Sequence, residues 1–375
     1  MTTLHTDQQI RDFVRGCTFM GTGGGGNPTD GVAWLDAARA DGFEITWTAP
    51  GDIADDAWTA CPFLMGSIAP VTDEAKRKMK HLGLSKERYK SVQAESIRLL
   101  EKHMNVKVGA IVAIELGGSN TPGAVAAAAR LGINIVDGDY TGRAIPEIPQ
   151  TTPYLNDLPL WPISSVDNYG NLCVITESVG YEMAERMGKF LAASSFGLAG
   201  QAGFLFHGSD MKKAIIPGTL SDCLRIGRSI RESQDAGRDP VRELVETLKG
   251  WLLFEGKVSK KEWEDKEGYY WGTHTIEGQG DFADSAFKIW FKNENHVSWL
   301  NGNAYVTSPD MINVVDRKTG EPYANSQIEE GQEVAVIGLR AVEQFRSPKG
   351  IDILGPRHFD FEIDYTPIED LVAKR

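Results

Sequence analysis

Apolar positions along the chain change period three times, and each change predicts a different kind of element. Ile10, Phe13, Val14 and Cys17 recur at i, i+3, i+4 and i+7, so a helix with one buried face is predicted to run into the glycine-rich stretch MGTGGGGNP. Asp30 is placed to cap a second helix, GVAWLDAARADG, which Asp41-Gly42 ends. FEITWTA then reads as a strand and CPFLMGSIA as a buried one. The charged stretch from Thr72 to Met104 reads as helix, break, helix. VGAIVAIEL, PGAVAAAARLG and INIVDGDY follow as strand, helix with Pro122 in its first turn, and strand, which is a βαβ unit. Residues 1–168 are therefore expected to form an α/β domain with a mainly parallel sheet covered by helices. Beyond it, YEMAERMGKFLAA and DPVRELVETLKGWL are helical. From Phe254 onward, as in AFKIWFKNENHVSWL, apolar and polar residues alternate. Residues 169–375 are expected to be a mixed helical, then β-rich, barrel-like domain.

Composition narrows the functional classes. Hydrophobic residues make up 41% and charged residues 24% of 375, as in a globular protein, and the net charge of −13 excludes a nucleic-acid binder that works by neutralising phosphates. No apolar run reaches the ~18 residues of a membrane span and the start lacks a basic-then-apolar leader, so a cytoplasmic location is expected. Cys17, Cys61, Cys173 and Cys223 show no CxxC spacing and are expected to be reduced and mostly buried.

The glycine run has three readings. Gly21, Gly23 and Gly26 spell GxGxxG, with Glu44 downstream, but a dinucleotide fingerprint needs a strand before the first glycine and a helix directly after the last. Here a helical period precedes it, Asn27-Pro28 delays the next helix, and no GxxxxGK[ST] lysine follows. A nucleotide is thus disfavoured. The amides of Gly23, Gly24, Gly25 and Gly26 could instead meet a ligand oxygen, or the run could serve close chain packing.

More chemistry lies at two strand ends, where an open parallel sheet binds its ligands. One loop runs from Glu115 to Pro122, the other from Asp137 to Glu147. Together they would bring Glu115, Asp137, Asp139 and Glu147 near Arg143, Asn120 and Thr121. Crowded carboxylates either share protons or hold a cation. The alternative is that Asp137 and Asp139 cap turns and Arg143 pairs with Glu147. His207, at a strand end, is a candidate acid or ligand, whereas His81, His103, His274 and His296 read as structural. There is no GxSxG elbow, Cys61 is the thiol to watch, and Trp290, Phe291 and Trp299 read as barrel filling.

The stretches FMGTGGGGNP, IELGGSNTPGA, IVDGDYTGRAIPEI, AIIPGTLSDCLRIG, SPDMINVVDRKTGEPY and GIDILGPRHFDFEIDYTPIE occur in the order of the S-methyl-thiohydantoin desulfurase family, which the chain resembles along almost its whole length. The resemblance implies an N-terminal three-layer α/β domain and a C-terminal β-rich domain. It also implies association with hydantoinase and oxoprolinase type enzymes, which open cyclic amides, and a desulfurising hydrolysis in one branch. Where the family more often has Phe-Gly-Tyr-Asp, this chain has HFDFEID, His358 to Asp364, and contact of that segment with the site would imply a different substrate.

The combined expectation is a hydrolase of a small cyclic amide, imide or thiohydantoin. A carboxylate among Asp137, Asp139 and Glu147 would activate water, with a divalent metal such as zinc as candidate cofactor. Arg143 and the glycine amides would stabilise developing charge, and Glu115 or His207 would protonate the leaving group. A homo-oligomer acting on a small molecule, with a hydantoinase-type partner enzyme, is expected. An accessory subunit that only binds such a ring is the rival reading.

Overall fold

The computed structural model describes residues 1–67, 71–84 and 86–373. The last part of the CPFLMGSIA run, residues 68 and 69, and Ser85 in the expected helix break lie outside them. The first half of the chain comprises β1 (Thr2–Leu4), α1 (Asp7–Met20), α2 (Pro28–Ala40), β2 (Ile45–Trp47), β3 (Trp58–Gly66), α3 (Asp73–His81), α4 (Val92–Met104), β4 (Val108–Ala113), α5 (Asn120–Leu131), β5 (Asn134–Asp139) and α6 (Thr152–Leu155). Then come β6 (Ile163–Val166), β7 (Leu172–Ile175), α7 (Tyr181–Ser194), β8 (Leu198–His207), α8 (Gly208–Ala214), β9 (Ile216–Pro217), α9 (Thr219–Asp235) and α10 (Pro240–Leu248). The second domain holds β10 (Trp251–Lys266), β11 (Tyr269–Gly278), β12 (Ala286–Lys292), β13 (Glu294–Leu300), β14 (Asn303–Thr307), β15 (Met311–Asp316) and β16 (Glu333–Leu339).

The first sheet has the order β7-β6-β8-β3-β4-β5-β9. Its centre, β3-β4-β5, is the expected parallel βαβ core, and antiparallel strands extend it on both sides. Strand alternation divides the core into two faces. Ala60, Ile111 and Ile135 join the layer of α1, α2, α4, α5 and α9, while Cys61, Phe63, Met65 and Val112 join α7 and α8 on the other side. The result is a three-layer α/β domain. It draws on residues beyond 168, which falls in the β6–β7 hairpin, because β8 pairs directly with β3.

Local chemistry explains the ends. The cap of α2 is Asn27, whose side chain accepts the Thr29 N–H at 3.0 Å with Pro28 in the first turn. Asp30 lies inside the helix, because the Asn-Pro pair already supplies the stop signal. DPVRELVETLKGWL divides likewise: Lys249 turns left-handed after α10, and Trp251 begins β10.

The second sheet, β14-β13-β12-β11-β10-β16-β15, is antiparallel throughout and curls into a half-barrel around Leu253, Phe287, Ile289, Val314 and Val336. AFKIWFKNENHVSWL is a hairpin, because Asn293 adopts a φ of +58° and turns β12 back into β13. Phe19 of α1, Ile226 and Ile230 of α9 and Val241 of α10 pack on Val315 and Ile337 of the half-barrel. Among the described residues no helix is long and apolar enough to cross a membrane. The four cysteines are free, with Cys17, Cys61 and Cys223 buried and Cys173 exposed.

Candidate functional site

A cavity of about 80 Å³ lies where the carboxyl ends of β3 and β4 and the loop after β5 meet α7 and the β12–β13 turn. The glycine run forms one wall. Helix α1 ends at Met20, so the run follows a helix and lacks the strand that a dinucleotide fingerprint requires. Gly25 O accepts the N–H groups of Ser119 and Asn120, while Gly23 O accepts that of Asn325 in the half-barrel. A Cβ on Gly25 would lie 2.3 Å from Gly117 Cα, and one on Gly26 would lie 1.8 Å from Ser119 Oγ, at φ values of +71° and +88°. Close packing is thus one reason for the glycines: Gly25 and Gly26 against the loop after β4 in the same domain, and Gly23 against Asn325 of the second.

The second reason is Glu294. Gly25 N–H donates to Glu294 Oε1 at 3.2 Å, and a Cβ on Gly24 would sit 1.8 Å from that oxygen. Gly24 N–H donates to Gly21 O, so both amides have partners within the protein. Gly25 and Gly26 line the cavity together with residues 145–148, and so the glycine run and the end of the second acidic loop border one space.

The expected site residues divide between this cavity and other places. Glu115 lies on the cavity wall, its Oε1 accepting Asn120 Nδ2 at 2.7 Å and its Oε2 accepting Ile145 N–H at 2.8 Å. Burial pushes its carboxyl up to about 7, and these two hydrogen bonds oppose the rise only in part. Asn120 lines the cavity as well, whereas Thr121 is buried behind it, giving its hydroxyl to Glu115 O and taking Gly117 N–H. Glu147 stands at the rim. Burial works against its charge, but a 2.8 Å contact from His358 and an ion pair with Lys292 outweigh that and hold its carboxyl down at about 2.

Asp137, Asp139, Arg143 and His207 are not among the residues lining the cavity. Asp137 accepts Ser221 N–H at 3.0 Å and the Ser221 hydroxyl at 2.5 Å, and so fastens the start of α9. Asp139 Oδ2 takes the N–H groups of Thr141 and Gly142 at 2.9 and 2.7 Å, which holds the turn after β5. Arg143 is buried and donates to the carbonyls of Ala144, Asn295, Pro309 and Asp310, clamping the loop to the half-barrel. The turn-capping alternative describes Asp139, Asp137 instead ties α9 to β5, and the Arg143–Glu147 pair of that alternative is replaced by Lys292 and His358. His207 stacks on Trp58 with ring centroids 4.0 Å apart, at the far end of β3 from Gly66. Five residue steps of strand between Trp58 and Phe63, the nearest lining residue of β3, put it roughly 17 Å from the cavity. His274 and His296 are buried in the half-barrel, and burial lowers the basicity of both.

Four cavity or rim residues carried no recognised signal in the sequence. Glu185 and Lys189 lie four apart on the buried face of α7. Glu185 accepts Ile148 N–H at 3.0 Å and the Tyr269 hydroxyl at 2.7 Å. Lys189 Nζ donates to Gly66 O at 3.1 Å and sits 4.1 Å over the Tyr269 ring. Burial lowers its pKa, against the pull of Glu185 and Glu294. The i, i+4 Glu–Lys pair was the available clue, obscured because such pairs are common on solvated faces. Glu294 and Lys292 flank the turn at Asn293, where KNEN interrupts an apolar alternation. His358 brings the segment that departs from the family pattern onto Glu147. Among the described residues no three His, Cys, Asp or Glu side chains are grouped to hold a metal ion.

The fold and site define a two-domain protein, three-layer α/β and antiparallel half-barrel, with a carboxylate-rich cavity at the junction. The chain belongs to the S-Me-THD-like family, that of the S-methyl-thiohydantoin desulfurases: the N-terminal domain model matches residues 8–177 and the C-terminal domain model residues 179–368. The family name points to a thiohydantoin-related function. A crystal structure of a protein from Chromobacterium violaceum is similar over 98% of this chain and 100% of that one, with a TM-score of 0.78 and 19% identity, a likeness of fold. No curated protein matches the chain.

Proposed function

We propose that the protein hydrolyses a small cyclic amide, imide or thiohydantoin-type ring in the junction cavity, with Glu115 as general base. The observation that carries this reading is Glu115 itself: buried on the cavity wall, oriented through both oxygens, and pushed up to about 7 by burial. A base with that affinity for protons takes one from water near neutral pH. The cavity, about 80 Å³, suits a small ring; a single water needs about 10–15 Å³.

Water would bond to the ring carbonyl or thiocarbonyl carbon as its proton passes to Glu115. Lys189, an ammonium on the same wall, would draw the negative charge that develops on oxygen or sulfur. Glu147, kept ionised by Lys292 and His358, would fix the rim and orient ring N–H groups. The test is a screen of the purified protein over hydantoins, thiohydantoins and lactams, reading ring opening and sulfide release. Turnover that falls about 10²–10⁴-fold in a folded Glu115→Gln variant is expected. A wild-type protein that binds such rings without converting any would instead be an accessory binder.

A further inference from the structure

One buried carboxyl on the cavity wall has no task in that scheme. Glu294 is 1% exposed, opens β13 directly after the left-handed Asn293, and reaches into the glycine run. Its Oε1 accepts Gly25 N–H at 3.2 Å. Its Oε2 is buried and finds no hydrogen-bond partner among the described residues. Gly24 leaves the room: any side chain there would occupy the carboxyl's position.

An ionised oxygen left buried without a donor is costly, whereas a protonated one is itself a donor and needs only an acceptor. Because Oε1 is taken by an N–H, the proton belongs on Oε2, the oxygen without a partner among the described residues. We propose that Glu294 is the proton donor of the site, handing its Oε2 proton to the atom that leaves the ring carbon. The inference rests on the hydrolase reading. The oxygen of water bonds to the ring carbon and its proton goes to Glu115. As that bond forms, the π pair of the carbonyl or thiocarbonyl moves onto its oxygen or sulfur. In ring opening that pair re-forms C=O as the C–N bond breaks; in desulfurisation the new hydroxyl forms C=O and gives its remaining proton to solvent water as the C–S bond breaks. In either case the bonding pair stays on the departing nitrogen or sulfur, and that atom takes the Glu294 proton. One proton then returns from Glu115 to Glu294 through solvent water, and the pair is reset.

The charged and titratable groups facing Glu294 come from four elements: Glu115 after β4, Arg143 after β5, Lys189 on α7 and Tyr269 on β11. Burial and the Glu115 charge raise its pKa well above the ordinary value, more than Arg143, Lys189 and the Gly25 N–H lower it. Two of the carboxyls lining the cavity, Glu115 and Glu294, thus divide into a base and an acid.

The experiment compares wild type with Glu294→Gln, which keeps the shape and the Gly25 hydrogen bond, and with Glu294→Asp, which keeps an acid. Infrared difference spectra at pH 7 are expected to show a protonated-carboxyl band in wild type that is absent from E294Q; wild type without the band overturns the proposal. The kcat of E294Q is expected to drop about 10²–10⁴-fold with KM changed only a few-fold, and E294D to recover part of it. A folded E294Q with wild-type kcat overturns Glu294 as donor and leaves the Glu115 reading standing. Absence of turnover in wild type overturns the hydrolase reading and with it the donor role, whatever the infrared band shows. Where E294Q does not fold, E294D decides, since a carboxyl withdrawn by one methylene must lower kcat if it gives the proton.

Discussion

Two carboxyls of this protein are pushed up to about 7 by the same cause, burial, yet their surroundings give them different work. Glu115 faces the cavity, so its ionisation is expected in the rate. The log of kcat/KM should rise with pH and level off above an apparent pKa near 7, because the base acts deprotonated; a flat profile between pH 5 and 9 would remove Glu115 from the role. Asp139 ends β5 and holds the turn after it, with Oδ1 buried and without a hydrogen-bond partner among the described residues, so its ionisation is expected in stability. Its carboxyl titrates near 3.8 in the unfolded chain and near 7 in the folded one. The unfolded state therefore loses its proton first. The stabilisation is complete below pH 4, declines as pH rises from about 4 to 7, and is gone above that. Asp139→Asn, which cannot ionise, should gain melting temperature relative to wild type across that window, by an amount equivalent to a few kcal/mol at most, and hold a constant lead above it. A lead that does not change with pH would show that Asp139 keeps no proton in the fold.

At the scale of elements, the glycine run separates packing from chemistry residue by residue. Gly25 meets backbone at φ +71°, so Gly25→Ala should destabilise strongly, by several °C or loss of folding, as strain and a backbone clash add. Gly24 has an ordinary φ and meets only the flexible end of Glu294, so Gly24→Ala should fold with a small loss of melting temperature while its turnover falls as in E294Q. Equal loss of stability in the two variants would count against Gly24 as the seat of that carboxyl. Part of this was legible in the chain. The period of Ile10, Phe13, Val14 and Cys17 predicts α1, and with Asn27-Pro28 it argues against a phosphate loop from the sequence alone. The βαβ core and its two polar strand ends were legible for the same reason, since periodicity and turn chemistry act over a few residues. Glu185, Lys189 and Glu294 were not, because their meeting with Glu115 in one cavity depends on strand pairing and docking across 70 to 179 residues of chain. Asp137 and Arg143 were misleading for a related reason: a polar loop looks alike whether its side chains face a ligand or hold α9 and the half-barrel.

For the whole molecule, the site exists only while the two domains stay docked, since Glu115 and Lys189 come from one and Glu294 and Lys292 from the other. Arg143 is a buried polar tie across the junction. Its guanidinium is buried and satisfies carbonyls of Asn295, Pro309 and Asp310 in the half-barrel, and a planar fork with five donors can do this where a lysine ammonium cannot. Each carbonyl orphaned by its loss costs about 1–3 kcal/mol, and the packing of Phe19, Ile226 and Val241 against Val315, with the Glu147–Lys292 and Glu185–Tyr269 contacts, must then hold the domains without the clamp. Arg143→Lys should therefore lower the melting temperature by several °C. It should also broaden the calorimetric transition, so that the van 't Hoff enthalpy falls below the calorimetric one as the half-barrel and the α/β domain begin to unfold separately. Turnover should fall with it although Arg143 does not line the cavity, and a crowding agent or a tight-binding ring that re-docks the domains should restore part of it. A variant that melts in one sharp step at the wild-type temperature, with activity intact, would mean that the remaining apolar and polar contacts join the two halves and that the Arg143 clamp is redundant.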